Sequence, residues 1–166
     1  FQRLTPQTQL RMNKPFLLLT SLCLFFNSLS LLTKAEQVVI SEIMYHPNDG
    51  GHEFVEIENL TSTPFDIALW KLSGGVDFEF PDFSTASPRN TFLKAFEKIV
   101  ICDTDPGTFR AAYGLPSAVR VFGPWEGNLN NGGERINLKD KNGINRCTVR
   151  YDNQGNWPVA ADGGGH

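Results

Sequence analysis

Between Val38 and Tyr151, apolar stretches of four to seven residues recur, split by Gly, Pro, Asn and Asp, and no helical period survives over a long window. Alternating apolar segments with turn residues between them are what half-buried antiparallel strands require, so the pattern restricts the chain to an all-β sandwich or barrel. Strands are expected at 38–45, 53–59, 67–72 (around Trp70), 76–80, 97–103, 120–122, 135–139 and 147–151. The cluster His46-Pro47-Asn48-Asp49-Gly50-Gly51 reads as a turn, and Lys141-Asn142-Gly143 as a hairpin tip. One helix is expected at 105–114, with Asp105 as its cap, Pro106 in its first turn and Gly114 at its end.

The first 35 residues follow a different rule. Lys14 precedes an apolar run from Phe16 to Leu32, and Thr33-Lys34-Ala35 supplies small residues after it. A basic start, an apolar middle and a small-residue exit describe a secretory signal, here at 12–35. Met12 is read as the true start, which makes 1–11 an upstream artefact. An uncleaved membrane anchor is the rival reading, although Asn27, Ser28 and Ser30 interrupt a run already short for a bilayer span. The expected location is therefore secreted or cell envelope, with no membrane insertion once the signal is removed.

The remainder, 36–166, is about the length of one domain with one core. It carries 11 basic against 18 acidic residues, hence a formal charge of −7. A nucleic-acid partner needs a basic face and is not expected. Cys102 and Cys147 lie in apolar strands; they either pair, as thiols outside the cytoplasm do, or serve as two small buried residues.

The residues that could carry chemistry gather at the first turn: Glu42, His46, Asp49, His52, Glu53 and Glu56. The spacing of His46 and His52 fits no zinc pattern, whereas Asp49 and Glu53 could supply oxygens to calcium. The simplest expectation remains a solvated turn with charged strand ends and no metal or other cofactor. Alternation puts Val55, Ile57 and Asn59 on the core face of their strand. It also puts Glu42 on the face of Ile40 and Met44, where a buried carboxylate needs a donor such as Arg135. No serine sits in a Gly-x-Ser-x-Gly elbow, and neither Gly-rich stretch (131–133, 163–165) precedes a Lys-Ser or Lys-Thr helix. Among the aromatic residues Phe78, Phe80, Phe83, Trp125 and Trp157, Trp125 in the loop Gly123-Pro124-Trp125-Glu126-Gly127 is the candidate for an exposed binding surface.

The segments Ile40-Ser41-Glu42-Ile43-Met44-Tyr45-His46-Pro47, Glu53-Phe54-Val55-Glu56-Ile57 and Leu69-Trp70-Lys71-Leu72-Ser73 occur in that order. With Asn130-Asn131-Gly132-Gly133-Glu134-Arg135 and Trp157-Pro158, they resemble the bacterial branch of the lamin tail domain family. The resemblance implies an immunoglobulin-like β-sandwich over 36–166. It also implies no agreed catalytic residues, and a role as an interaction or adhesion module that binds protein or glycan through loops at the sandwich ends. Such modules often stand beside another domain in a longer chain. The Ser-Leu-Glu segment and last strand usual after Asp162-Gly163 are missing, so the domain is read as C-terminally truncated. The alternative kept open is a metal-dependent hydrolase, or an accessory domain of an envelope enzyme, built on His46, Asp49, His52 and Glu53.

Overall fold

The computed structural model describes residues 37–82, 91–155, 157 and 161–163. The expected leader at 12–35, the stretch 1–11 before it and Phe83 lie outside the described residues. In chain order the elements are β1 (Val38–Met44), β2 (Phe54–Asn59), β3 (Phe65–Asp66), β4 (Lys71–Ser73), β5 (Val76–Glu79), β6 (Phe92–Leu93) and β7 (Lys98–Cys102). They continue with α1 (Pro106–Tyr113), β8 (Arg120–Phe122), β9 (Glu126–Gly127), β10 (Arg135–Lys139) and β11 (Asn145–Arg150).

Two sheets stack as the expected immunoglobulin-like sandwich, one ordered β1-β2-β7-β8 and the other β11-β10-β4-β5-β9, with β3 and β6 paired separately. The inward faces alternate as the sequence predicts. Ile40, Val55, Ile57, Ile99 and Ile101 from one sheet meet Leu72, Val76, Ile136, Leu138 and Cys147 from the other in a single core. Each fully buried aliphatic side chain contributes roughly 1.5–3 kcal/mol. Residues 34–166 form one compact unit, and the core side chains of the described residues lie within it, so this stretch carries its own core.

The expected helix forms and has a topological job. Asp105 accepts from the Gly107 and Thr108 N–H groups, and Gly114 closes the other end at φ 59°. Because β8 lies parallel to β7, the chain must cross over between them, and α1 is that crossover. Its Phe109 packs on Val100 and Cys102, on the outer face of the four-stranded sheet, with Phe54, Leu115, Val119 and Val121 around them.

Three expectations are corrected. The strand expected at 67–72 survives only in β4: Leu69 takes the left-handed conformation (φ 60°), so 67–70 turns between β3 and β4, although Trp70 is buried as expected. In β1 the register shifts between Ile40 and Glu42, a bulge that turns both Ser41 and Glu42 outward. Glu42 is therefore exposed and opposite Glu56, in a different sheet from Arg135. Partial desolvation against the sheet, and then the Glu56 charge, raises its carboxyl above its ordinary value, with Lys98 opposing. Third, Trp125 is only 5% exposed. Its backbone N–H donates to the Cys102 carbonyl at 3.2 Å, which folds the loop onto the core. It therefore offers no exposed binding surface.

Cys102 and Cys147 do not pair with each other. Cys102 lies under α1, its Sγ 3.2 Å from the Thr104 carbonyl, while Cys147 lies in the central core and its Sγ accepts the Ile40 N–H at 3.4 Å.

Candidate interaction surface

Strand register defines two ends. β1 begins at one, the entry end, which also carries the β2–β3 and β6–β7 connections, the turn at 67–70 and the β10–β11 hairpin tip. The far end carries the β1–β2 turn, the start of α1 and the loop before β10.

His46, Asp49, His52 and Glu53 of the sequence-predicted cluster lie at the far end, and the side chains of His46, His52 and Glu53 reach different partners. His46 forms an isolated bridge with Asp162, its Nδ1 lying 2.8 Å from Asp162 Oδ1, and the Gly163 N–H donates to the His46 carbonyl at 2.7 Å. His52 is held by Tyr113, whose hydroxyl donates to the His52 carbonyl at 2.8 Å. The His52 Nδ1 stands 3.0 Å from Asp103 Oδ1, at ion-pair distance but without hydrogen-bond alignment. Glu53 reaches the other way: its Oε2 accepts the Leu129 N–H at 2.9 Å, and its own N–H donates to Asp103 Oδ2 at 3.1 Å. Asp49 is exposed on the turn, which closes through Gly51 N–H to the Asn48 carbonyl.

These contacts pin loops to the scaffold. Burial raises the Glu53 carboxyl above its ordinary value; Asp103 and Glu134 add to that, and the Leu129 N–H and His46 oppose it. Glu134 accepts from the Tyr151 hydroxyl at 2.9 Å and from the Asn130 N–H at 2.8 Å, holding the loop before β10. Burial and that bond push the Tyr151 phenol far up, and its ring stacks on Tyr45 at 4.7 Å. Among the described residues no group of three or more His, Cys, Asp and Glu side chains is placed to hold a metal ion. Two of the serines lie elsewhere: Ser41 donates to Glu56 Oε1 at 2.7 Å on the outer sheet face, and Ser73 ends β4 with its hydroxyl buried.

The entry end is built differently. The described chain exposes seven large hydrophobic side chains, and five of them sit here: Leu60, Leu69, Phe92, Phe96 and Ile144. Phe96 is 63% exposed, Ile144 55% and Leu60 48%. The loops that carry them are rigidly tied. Asn59, fully buried, donates to the Thr63 and Lys94 carbonyls at 2.8 Å each and accepts from the Thr61 N–H at 3.0 Å. The Leu60 N–H donates to the Gln37 carbonyl, and the Phe96 N–H to that of Thr61. Glu97 holds the Lys94 N–H and receives both arms of Arg120, at 2.9 and 2.8 Å. The hairpin tip is fixed by Asp140, which accepts from the Asn142 and Ile144 N–H groups and from Arg146.

Between hairpin and turn lies a cleft of about 380 Å³, lined by Phe65, Leu69, Trp70, Asp140, Lys141 and Arg146 among others. All five lysines among the described residues (Lys71, Lys94, Lys98, Lys139 and Lys141) belong to this half of the sandwich. Sequence reasoning passed over these positions because an apolar residue beside turn residues reads as a loop anchor. The available signal was Phe96 and Ile144 standing next to Lys-containing turns with no apolar partner in period.

The model of the Lamin Tail Domain family matches residues 33–153. No curated protein matches this sequence. The matched segment spans both sheets, α1 and the β10–β11 hairpin, and members of that family are immunoglobulin-like domains that generally act as non-catalytic interaction modules. On the matched segment and the sandwich it forms, the chain belongs to the lamin tail domain family.

Proposed function

We propose that this domain is the non-catalytic interaction module of an exported or envelope protein, and that the entry end is its contact surface. One observation carries the reading: large exposed apolar side chains gather at that end on loops held by buried polar networks. Large exposed apolar side chains concentrated at one end of a tied scaffold support a contact site there. The far-end imidazoles and carboxylates are engaged in pinning loops, which supports a structural role for them. The apolar run at 16–32 supports export. With Trp125 buried, the aliphatic and phenylalanine tips favour an apolar surface as target.

The test compares retention of the 34–166 unit on cell envelopes with that of two variants. Leu60→Ser/Phe96→Ser/Ile144→Ser should lose retention with its melting temperature within a few degrees of wild type. The far-end change Asp49→Ser should retain it. Equal retention of all three, or turnover of phosphoester, peptide or glycoside substrates by the isolated unit, would overturn the reading.

A further inference from the structure

We propose that the entry end docks on an anionic lipid surface. This rests on the reading of that end as the contact surface and names what it contacts.

The tips combine two chemistries. On the β6–β7 connection Lys94 is exposed two residues before the exposed Phe96. At the hairpin tip Lys141 is exposed three residues before the exposed Ile144. Leu60 joins the first group through the hydrogen bond between Thr61 and Phe96. Apolar side chains that enter the acyl boundary, flanked by lysines whose ammonium groups stay at headgroup level, are how a soluble surface grips a bilayer.

Charge is sorted to match. Lys94, Lys139 and Lys141 head no ion pair among the described residues, whereas Glu97 pairs with Arg120, Asp140 with Arg146, Glu79 with Lys71 and Glu58 lies 3.8 Å from Lys98; of the further carboxylates at this end, Asp66 and Asp82, Asp66 accepts from the Ala68 N–H and the Thr91 hydroxyl. The far end holds Asp49, Glu53, Asp103, Glu134, Asp152 and Asp162 against Arg135 and Arg150, an acidic excess that an anionic surface would repel. A domain so polarised approaches a negative surface entry end first.

The chain's order agrees. β1 starts at this end, and the sequence before it carries the apolar run 16–32, which in its anchor reading, though not as a cleaved signal, would hold the polypeptide at a membrane. A protein groove would ask for apolar side chains converging in one pocket. Here the most exposed ones stand on separate tips, which suits a flat, fluid partner.

The experiment is co-sedimentation of the 34–166 unit with vesicles of phosphatidylcholine alone and of phosphatidylcholine with one-third phosphatidylglycerol. Binding is expected to the anionic vesicles and to weaken with added salt. Phe96→Ser/Ile144→Ser and Lys94→Glu/Lys141→Glu should each lower the partition coefficient about tenfold, since one such step matches losing a pair of inserting or charged groups. Asp49→Ser should leave it unchanged, and circular dichroism of each variant establishes that the fold is intact. Equal partition onto both vesicle types, loss of binding in the far-end variant alone, or pelleting without lipid would overturn the proposal. If envelope retention depends on the three apolar tips while pure lipid binds nothing, and protease treatment of the envelopes abolishes retention, the partner is a protein. The module reading would then survive without the lipid.

Discussion

Leu69 and Phe96 share a rare backbone state: each lies in the left-handed region, at φ 60° and 56°, and each presents its side chain to solvent at the entry end. A residue with a Cβ pays roughly 1–2 kcal/mol for that conformation, and glycine or asparagine is the usual occupant. Phe96→Asn is therefore expected to raise the urea midpoint with the slope unchanged, a gain of about 1 kcal/mol in unfolding free energy. It should at the same time weaken envelope retention. A lowered midpoint would show that the ring stabilises the fold and is not kept for contact.

Asn59 is the polar centre of the same end. Its side chain ties three loop segments and has no exposure to water. Asn59→Leu would leave the Thr61 N–H and the Lys94 and Thr63 carbonyls without that partner. The expected loss is about 2–4 kcal/mol in chemical denaturation. A loss under about 0.5 kcal/mol would remove the claim that this network sets the loops.

Two carboxyls give opposite pH signatures. Burial raises Glu53 above 4.5, so the folded state holds that proton more tightly than the unfolded chain does. Its ionisation opposes folding, and the opposition grows as pH rises from about 4.5 through the raised value. Glu53→Gln should therefore gain stability relative to wild type between about pH 4 and pH 7. At Asp140 burial acts upward but the Ile144 N–H, Arg146 and the Asn142 N–H outweigh it, and the carboxyl falls below 3.8. Its contribution is present above that value and lost as pH falls through the depressed one. Asp140→Asn should be less stable than wild type at neutral pH and equal to it in strong acid. Urea midpoints across the pH range check both; parallel curves for either variant contradict the assignment.

The thiols should be inert in the fold. Burial pushes Cys102 up to about 11, and Cys147 is buried in the central core. A thiol titration of the 34–166 unit near neutral pH should find almost none until denaturant is added, then both, without reductant. Finding neither after unfolding would mean that they pair.

Because His46, His52 and Glu53 are each engaged with a different partner, EDTA, calcium and zinc should leave the melting temperature unchanged. A calcium-dependent rise that Asp49→Ala and Glu53→Ala abolish would restore the metal reading.

The sandwich was legible because its period is local. Val55, Ile57, Asn59 and the series Cys147, Val149, Tyr151 point as alternation requires, and the capped helix needed only Asp105, Pro106 and Gly114. What failed depended on tertiary context. Ile67, Leu69 and Trp70 look like a strand until Leu69 turns left-handed. The bulge at Ser41 leaves no mark in composition, yet it moves Glu42 from the core face to solvent. Trp125 does lie in a loop, but that loop is drawn inward by its bond to Cys102. The entry-end surface was illegible for a related reason. Whether an apolar residue in a turn is an anchor or a tip depends on which loops meet beside it.

The most direct test places an environment-sensitive fluorophore at each end of the sandwich, on Ile144→Cys and on Asp49→Cys, taking advantage of the buried native thiols. With anionic vesicles, the label at the hairpin tip should shift to the blue and brighten while the label on the far turn stays as in water. Equal shifts at both positions, or none at the tip, would contradict the account.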